Sequence, residues 1–128
     1  MSALTLNSSK CNQNKFGLFN YYCEVIEIHV IKTGTYVTLI SSKTMDMYGY
    51  MYKNNFTLLD LSINMILTGI NYIRDCNNQL IISFDSQINT SIILVVTTSQ
   101  QQQQGNFSIT VNGPIKVIMK HKRMFIIS

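Results

Sequence analysis

The sequence predicts an all-β domain, an antiparallel β-sandwich of jelly-roll-like type with about seven to nine strands. The clearest single observation is the run at 105–111, a glycine followed by strict alternation of apolar and polar residues. Several other runs rich in β-branched and aromatic residues precede it at short intervals, separated by turn residues. Such alternation is typical of strands in an antiparallel sheet that buries one face.

The length and composition are those of one folded domain. A chain of 128 residues can bury a two-layer core without obligatory disulfides. Its 46% hydrophobic and 12% charged residues argue against disorder over most of its length. We predict a flexible lead-in rich in Asn and Ser over 1–19, the sandwich over 20–114, and a basic, apolar tail over 115–128 that could begin with an edge strand.

The first half of the sandwich contains three predicted strands. In 21–31, the apolar residues at 26, 28 and 30 share one face of a strand. A turn at 32–34 then returns the chain as the second strand of a hairpin over 35–41, and 46–52 forms the third. The apolar segment 56–67 fits either a short helix or an irregular strand, and both alternatives remain open.

The second half contains the predicted centre of the fold. Residues 80–84 alternate, and 91–98 is the most β-prone run, with 92–96 apolar enough to be buried on both faces. The glutamine tract at 100–104 is interpreted as a loop insertion before the closing strand. The predicted core is Ile26, Ile28, Val30, Tyr36, Leu80, Ile82, Phe84, Ile92, Leu94, Val96, Phe107, Ile109 and Val111.

The excess of positive charge lies at the two ends of the chain. Residues 20–112 hold four basic and six acidic side chains, a net charge of −2, although the whole chain carries +4. A basic tail could bind phosphate or a membrane surface, but such runs are more often solvated chain ends. We expect no nucleic-acid partner, and the oligomeric state is not predicted.

The cysteines are Cys11, Cys23 and Cys76, and they carry no metal-site spacing. Either one disulfide forms and one thiol is left over, or all three are free. No apolar run approaches the ~20 residues of a membrane span, and the first residues do not follow a signal-peptide pattern. The chain is therefore either intracellular or a piece of a longer extracellular protein.

Asn-x-Ser/Thr sequons occur at Asn7, Asn55, Asn89 and Asn106. The last three lie at predicted strand ends or turns, which favours glycosylation and an extracellular location.

Catalytic residues are scarce. The two histidines are His29 and His121, and no nucleophile, phosphate-loop or metalloprotease motif is present. Cys23 and His29 share one strand face but are six residues apart, roughly 20 Å along a straight strand. We expect neither enzyme activity nor a cofactor or metal.

Three tyrosines are the best candidates for a binding surface. Tyr48, Tyr50 and Tyr52 share one strand face, and the methionines and glycine between them share the other. If the methionine face is the core, the tyrosines form an exposed ladder that could stack on sugar rings or on a neighbouring domain, helped by Asn54 and Asn55. In the alternative, the rings are half-buried and only their hydroxyls reach the rim.

Four segments in order, at 21–30, 46–52, 91–96 and 105–111, resemble the strands of pre-peptidase C-terminal (PPC-type) domains. They include Asp-Met-Tyr-Gly-Tyr-Met-Tyr, similar to that family's Asp-Thr-x-x-x-Leu-Tyr, and the closing Gly-Asn-Phe-Ser-Ile-Thr-Val. These domains are secreted jelly-roll-like modules appended to proteases and other extracellular proteins. The resemblance implies a non-catalytic accessory or binding module that contacts carbohydrate, matrix or a neighbouring domain, or else a structural spacer or degenerate copy without a ligand.

The chain departs from the family in the loop often linked to calcium. An Asp-Asp-Ser-Gly loop is common there, but 67–78 in this chain holds a single aspartate, Asp75. A calcium site needs several oxygen ligands with carboxylates among them, so we predict no specific calcium site in this divergent copy.

Overall fold

The protein, described by a computed structural model, folds as an antiparallel β-sandwich, as predicted. The structure describes residues 2–11, 21–53, 61, 72–74, 79–100 and 102–122. Ten strands are present in these residues, and none of them forms a helix. The strands are β1 (Ser2–Leu4), β2 (Ser9–Cys11), β3 (Tyr21–Val30), β4 (Gly34–Ser41), β5 (Met47–Tyr52), β6 (Tyr72–Arg74), β7 (Gln79–Ser86), β8 (Thr90–Thr98), β9 (Gly105–Asn112) and β10 (Ile118–Lys122).

The strands form two antiparallel sheets that pack face to face. The first sheet has the order β1-β9-β4-β7-β6, and the second has the order β10-β3-β8-β5, with β2 paired to the start of β3. Strand β8 lies between β3 and β5, which confirms the prediction that 91–98 is a central strand. The segment 56–67, whose conformation was left open, lies outside the described residues except for Leu61.

The predicted hairpin between β3 and β4 is wrong. Strand β3 pairs with β8 and β10 in the second sheet, whereas β4 pairs with β7 and β9 in the first. The turn at 31–33 therefore carries the chain from one sheet to the other. Turn residues indicate where a chain reverses, but both strands here bury an apolar face, and only packing decides whether they share a sheet.

The core lies between the sheets and matches most of the predicted set. Eleven of the thirteen predicted residues are fully buried, while Ile109 and Val111 are partly buried against them. The aromatic rings of Tyr36 and Phe84 stack with their centroids 5.7 Å apart. The core also contains residues that the sequence analysis did not include, namely Leu4, Tyr22, Ile40, Met45, Met47 and Met51.

The expectation of a flexible lead-in over 1–19 is wrong for its described part. Strand β1 pairs with β9, and Leu4 at its end is buried in the core. Strand β2 pairs with β3, and Cys11 forms a disulfide with Cys23. The polar composition of this segment predicted flexibility, but Leu4 packs in the core and Cys11 is held by its disulfide. Of the two cysteine alternatives the structure thus shows the disulfide, and Cys76 lies outside the described residues.

The predicted edge strand in the tail is present but begins three residues later, at Ile118. Strand β10 pairs with β3 at the edge of the second sheet, and all five of its residues are exposed. An ion pair joins Lys122 Nζ to Glu27 Oε2 at 2.8 Å. The Lys122 hydrogen bond, with the positive charges of Lys122 and Lys120, lowers the pKa of Glu27.

Candidate functional site

The tyrosine row does not form the exposed ladder of three rings. The methionines of β5 face the core, as that hypothesis required, but Tyr48 and Tyr50 are half-buried and Tyr52 is completely buried. The Tyr52 hydroxyl donates a hydrogen bond to the carbonyl oxygen of Leu61. The alternative hypothesis placed all three rings half-buried, and the structure agrees with it for Tyr48 and Tyr50 but not for Tyr52. The other residues of this candidate surface, Asn54 and Asn55, lie outside the described residues.

A second hydrophobic cluster on the outer face of the second sheet explains this burial. Its buried members are Cys11, Cys23, Val25, Tyr52, Leu61 and Val95. Cys11 of β2 and Leu61 pack in this cluster with Val95, and the central strand β8 is buried on both sides over 94–98. The alternation within β5 predicts which residues share a face, but it contains no information about distant segments that cover that face.

The described sequons lie at the surface. Asn89 is exposed at the turn between β7 and β8, where its φ of 58° is in the left-handed region that asparagine tolerates. Asn106 is exposed on β9, and Asn7 is exposed in the turn between β1 and β2. Asn55 lies outside the described residues.

A cavity of about 380 Å³ opens at one end of the sandwich, and we call it the loop-end pocket. It lies where the turn between β3 and β4, the turn between β7 and β8, and the end of β5 come together. A volume of this size is at the lower end of the range for small-molecule sites. The lining residues are Thr33, Gly34, Thr35, Lys53, Asp85, Ser86, Gln87, Thr90 and Ile92.

Hydrogen bonds between neighbouring strands and turns fix the walls of the loop-end pocket. Thr35 and Asp85 are cross-strand partners, and the Thr35 hydroxyl donates to Asp85 Oδ1 at 2.6 Å. The backbone N–H of Ile88 donates to Thr33 Oγ1 at 2.9 Å and joins the two turns. Ile92, which is buried, supplies an apolar surface. Three of the polar wall residues, Thr33, Thr35 and Asp85, are thus held by defined contacts.

Ser86 is the most informative residue of the pocket. It is only 7% exposed, and its Oγ has no hydrogen-bond partner in the structure. A buried hydroxyl without a partner costs about 1–3 kcal/mol. The hydroxyl itself is closed to solvent, so a ligand in the pocket could supply the missing partner only after the Ser86 side chain turns towards the opening.

The charges at the pocket are balanced, since Lys53 and Asp85 are both exposed and of opposite sign. Among the described residues, no group of three or more His, Cys, Asp or Glu side chains could hold a metal ion. Hydroxyl, amide, carboxylate and ammonium groups around an apolar surface suit a neutral ligand with many hydroxyls.

The histidines lie away from this pocket. His29 Nδ1 is 3.2 Å from Ser91 Oγ on the neighbouring strand. His121 lies 3.8 Å from the buried carboxylate of Glu24 and 3.5 Å from Ser2 Oγ. The contact of His29 joins β3 to β8, and the contacts of His121 join β10 to β3 and to β1.

The sequence analysis did not identify the loop-end pocket. Apart from Lys53, its polar residues come from two short stretches, 33–35 and 85–90, which are rich in hydroxyl and amide side chains. Such turns are common in β-proteins, and only the pairing of β4 with β7 brings these two together.

No family model, no curated protein and no solved structure matches this chain. The resemblance to PPC-type domains therefore rests on the four sequence segments alone. The described residues contain no helix that is long and apolar enough to cross a membrane.

Proposed function

We propose that this protein is a non-catalytic binding module of extracellular type, and that the loop-end pocket takes a carbohydrate ligand. The proposal keeps the resemblance to PPC-type domains, which are accessory modules of secreted proteins. It moves the binding site from the tyrosine row, where Tyr52 is buried, to the opening between the two sheets.

The observation that carries the proposal is the unpartnered hydroxyl of Ser86, which lies directly behind the pocket wall. Sugar hydroxyls both donate and accept hydrogen bonds, so one ring could meet the Asp85 carboxylate and the Lys53 ammonium group and, once the Ser86 side chain turns towards the opening, its hydroxyl as well. The buried Ile92 adds an apolar surface, as is usual in sites for small organic ligands.

Two features support an extracellular location. The first is the Cys11–Cys23 disulfide, because disulfides form and persist mainly in oxidising compartments. The sequon asparagines Asn89 and Asn106 are exposed and accessible to glycosylation.

A second candidate function, a structural spacer without a ligand, has one observation in its favour. Thr38 is completely buried in the core, and its Oγ1 also lacks a hydrogen-bond partner. It does not line the loop-end pocket. This fold thus accommodates an unpartnered hydroxyl where no ligand could reach it, so binding has to be measured.

The test is binding of the wild-type protein to a glycan array, followed by calorimetry with the strongest ligand. We expect Ser86→Ala to weaken binding about tenfold, the value of one hydrogen bond of about 1.4 kcal/mol. Thr38→Val is the matched control, because it also removes an unpartnered buried hydroxyl but lies away from the pocket. Its affinity should equal that of the wild type. If the wild type binds no glycan, the spacer function stands instead.

A further inference from the structure

The pocket end of the sandwich also carries exposed apolar side chains at its turn tips. Ile31 follows β3, Ile88 lies between β7 and β8, and Ile115 lies between β9 and β10, with exposed fractions of 41%, 59% and 37%. Two of them precede exposed lysines, Lys32 and Lys116. We call these five residues the loop-end rim.

Contacts between the turns show that the rim is one surface. Val30 and Thr90 are cross-strand partners, so the residues that flank them, Ile31 and Asn89, lie at the same end. The turn between β9 and β10 reaches the turn between β3 and β4, because a Cβ atom added at Gly34 would contact the ring of Pro114. The three isoleucines therefore surround one end of the molecule.

The charge of this surface is positive. Lys32 and Lys116 are exposed in the rim, and in the pocket beside it Lys53 balances Asp85. Asp85 already accepts a hydrogen bond from Thr35. An acidic partner surface therefore complements the rim.

The residue types at the tips are unusual for turns. Gly, Asn, Asp, Ser and Pro are preferred at such positions, and the exposed part of each isoleucine gains nothing from burial within this chain. Single exposed apolar residues are normal, but three of them on adjacent tips among lysines form a pattern. Separate apolar tips among cations fit the boundary of a lipid bilayer, where apolar groups enter the acyl region and lysines meet anionic headgroups. A protein partner would instead require a continuous surface of about 800 Å².

We propose that the loop-end rim binds the surface of an anionic lipid bilayer, with Ile31, Ile88 and Ile115 inserted between the headgroups. This interaction does not depend on the ligand of the loop-end pocket. The rim residues themselves, apart from the pocket lining, supply its contacts.

The test is co-sedimentation of the whole chain with phosphatidylcholine vesicles that contain about one third phosphatidylserine. These vesicles carry no sugar headgroup, so the result is separate from any glycan binding. We expect Ile88→Glu to reduce the partition coefficient about tenfold or more, because a buried aliphatic side chain is exchanged for a charge. Lys32→Ala should reduce it about fivefold, the value of one lysine near the surface.

Leu6→Glu is the matched control. Leu6 is 71% exposed, and it lies at the opposite end of the sandwich, beyond the pairing of Leu4 with Gly105 at the start of β9. Its substitution should leave vesicle binding unchanged. Ile115→Glu is a second rim variant, and circular dichroism confirms that each variant is folded.

Three results would overturn the proposal. The first is no binding of the wild type to these vesicles, which is also the result expected if the rim docks on a protein. The second is equal binding to pure phosphatidylcholine vesicles. The third is an equal loss for Leu6→Glu and Ile88→Glu.

Discussion

The hydroxyl of Thr38 provides a sharp test of the packing between the sheets. Thr38 lies on β4 between Ile82 of β7 and Val111 of β9, is completely buried, and has no partner for Oγ1. Thr38→Val replaces this hydroxyl by a methyl group of similar shape. The variant is relieved of an unsatisfied polar group, so we expect it to be more stable than the wild type by about 1–2 kcal/mol.

Thr97→Val is the same chemical change with the opposite expectation. Thr97 is also completely buried, but its hydroxyl donates a hydrogen bond of 2.8 Å to the carbonyl oxygen of Tyr22. Removing this donor loses the bond and leaves a buried carbonyl with one partner fewer, at a cost of about 1–2 kcal/mol. The two valine variants should therefore differ by about 3 kcal/mol, or roughly 10 °C in melting temperature for a domain of this size.

The assay is urea unfolding of both variants and the wild type, followed by circular dichroism, with thermal melts as a second readout. The expected order of stability is Thr38→Val, then the wild type, then Thr97→Val. The reasoning is refuted if Thr38→Val is no more stable than the wild type, since its hydroxyl would then have a partner. Equal unfolding slopes in urea would show that the denatured states are comparable.

Three further predictions concern the sheets and the chain ends. Gly49→Val should destabilise by about 1–3 kcal/mol in urea melts, because its Cβ would lie 2.9 Å from an isoleucine of the facing sheet; unchanged stability would contradict this packing. Replacing Cys11 and Cys23 by serine should cost about 3 kcal/mol in the same melts, whereas a variant as stable as the wild type would exclude the disulfide. The ion pair with Lys122 lowers the pKa of Glu27. The pair therefore stabilises β10 fully at pH values above the usual pKa of glutamate, and this stabilisation is lost as the pH falls through the lowered pKa. Amide exchange should show that β10 loses protection relative to β8 as the solution is made acidic. In Lys122→Ala this dependence on pH should disappear, because the ion pair is already absent at neutral pH.

Much of the fold could be predicted because strands are encoded locally. The alternation in 105–111 predicted β9, and the apolar run at 92–96 predicted a central strand, since both patterns follow from the geometry of a strand. The pairing of β3 and β4 could not be predicted in the same way. A turn of three residues fits either a hairpin or a crossing between sheets, and the choice depends on partners far away in the sequence.

The candidate site was less predictable than the fold for the same reason. Tyr52 is buried through a hydrogen bond to Leu61, nine residues away, and through the disulfide-linked strand β2. Ser86 resembles any turn serine until its position opposite Gly34, beside the opening between the sheets, is known. Burial and missing partners are properties of the packed chain, so sequence patterns predict the strands more readily than the pocket.

The central claim is that the loop-end pocket is the ligand site, and chemical-shift mapping tests it most directly. The ¹⁵N-labelled protein is titrated with the strongest glycan from the array, and the backbone amide shifts are followed. The account predicts that the shifts centre on the residues that line the pocket, namely Thr33–Thr35, Lys53, Asp85–Gln87, Thr90 and Ile92. Shifts centred on Tyr48 and Tyr50 would contradict it, as would an unchanged spectrum with every glycan tested.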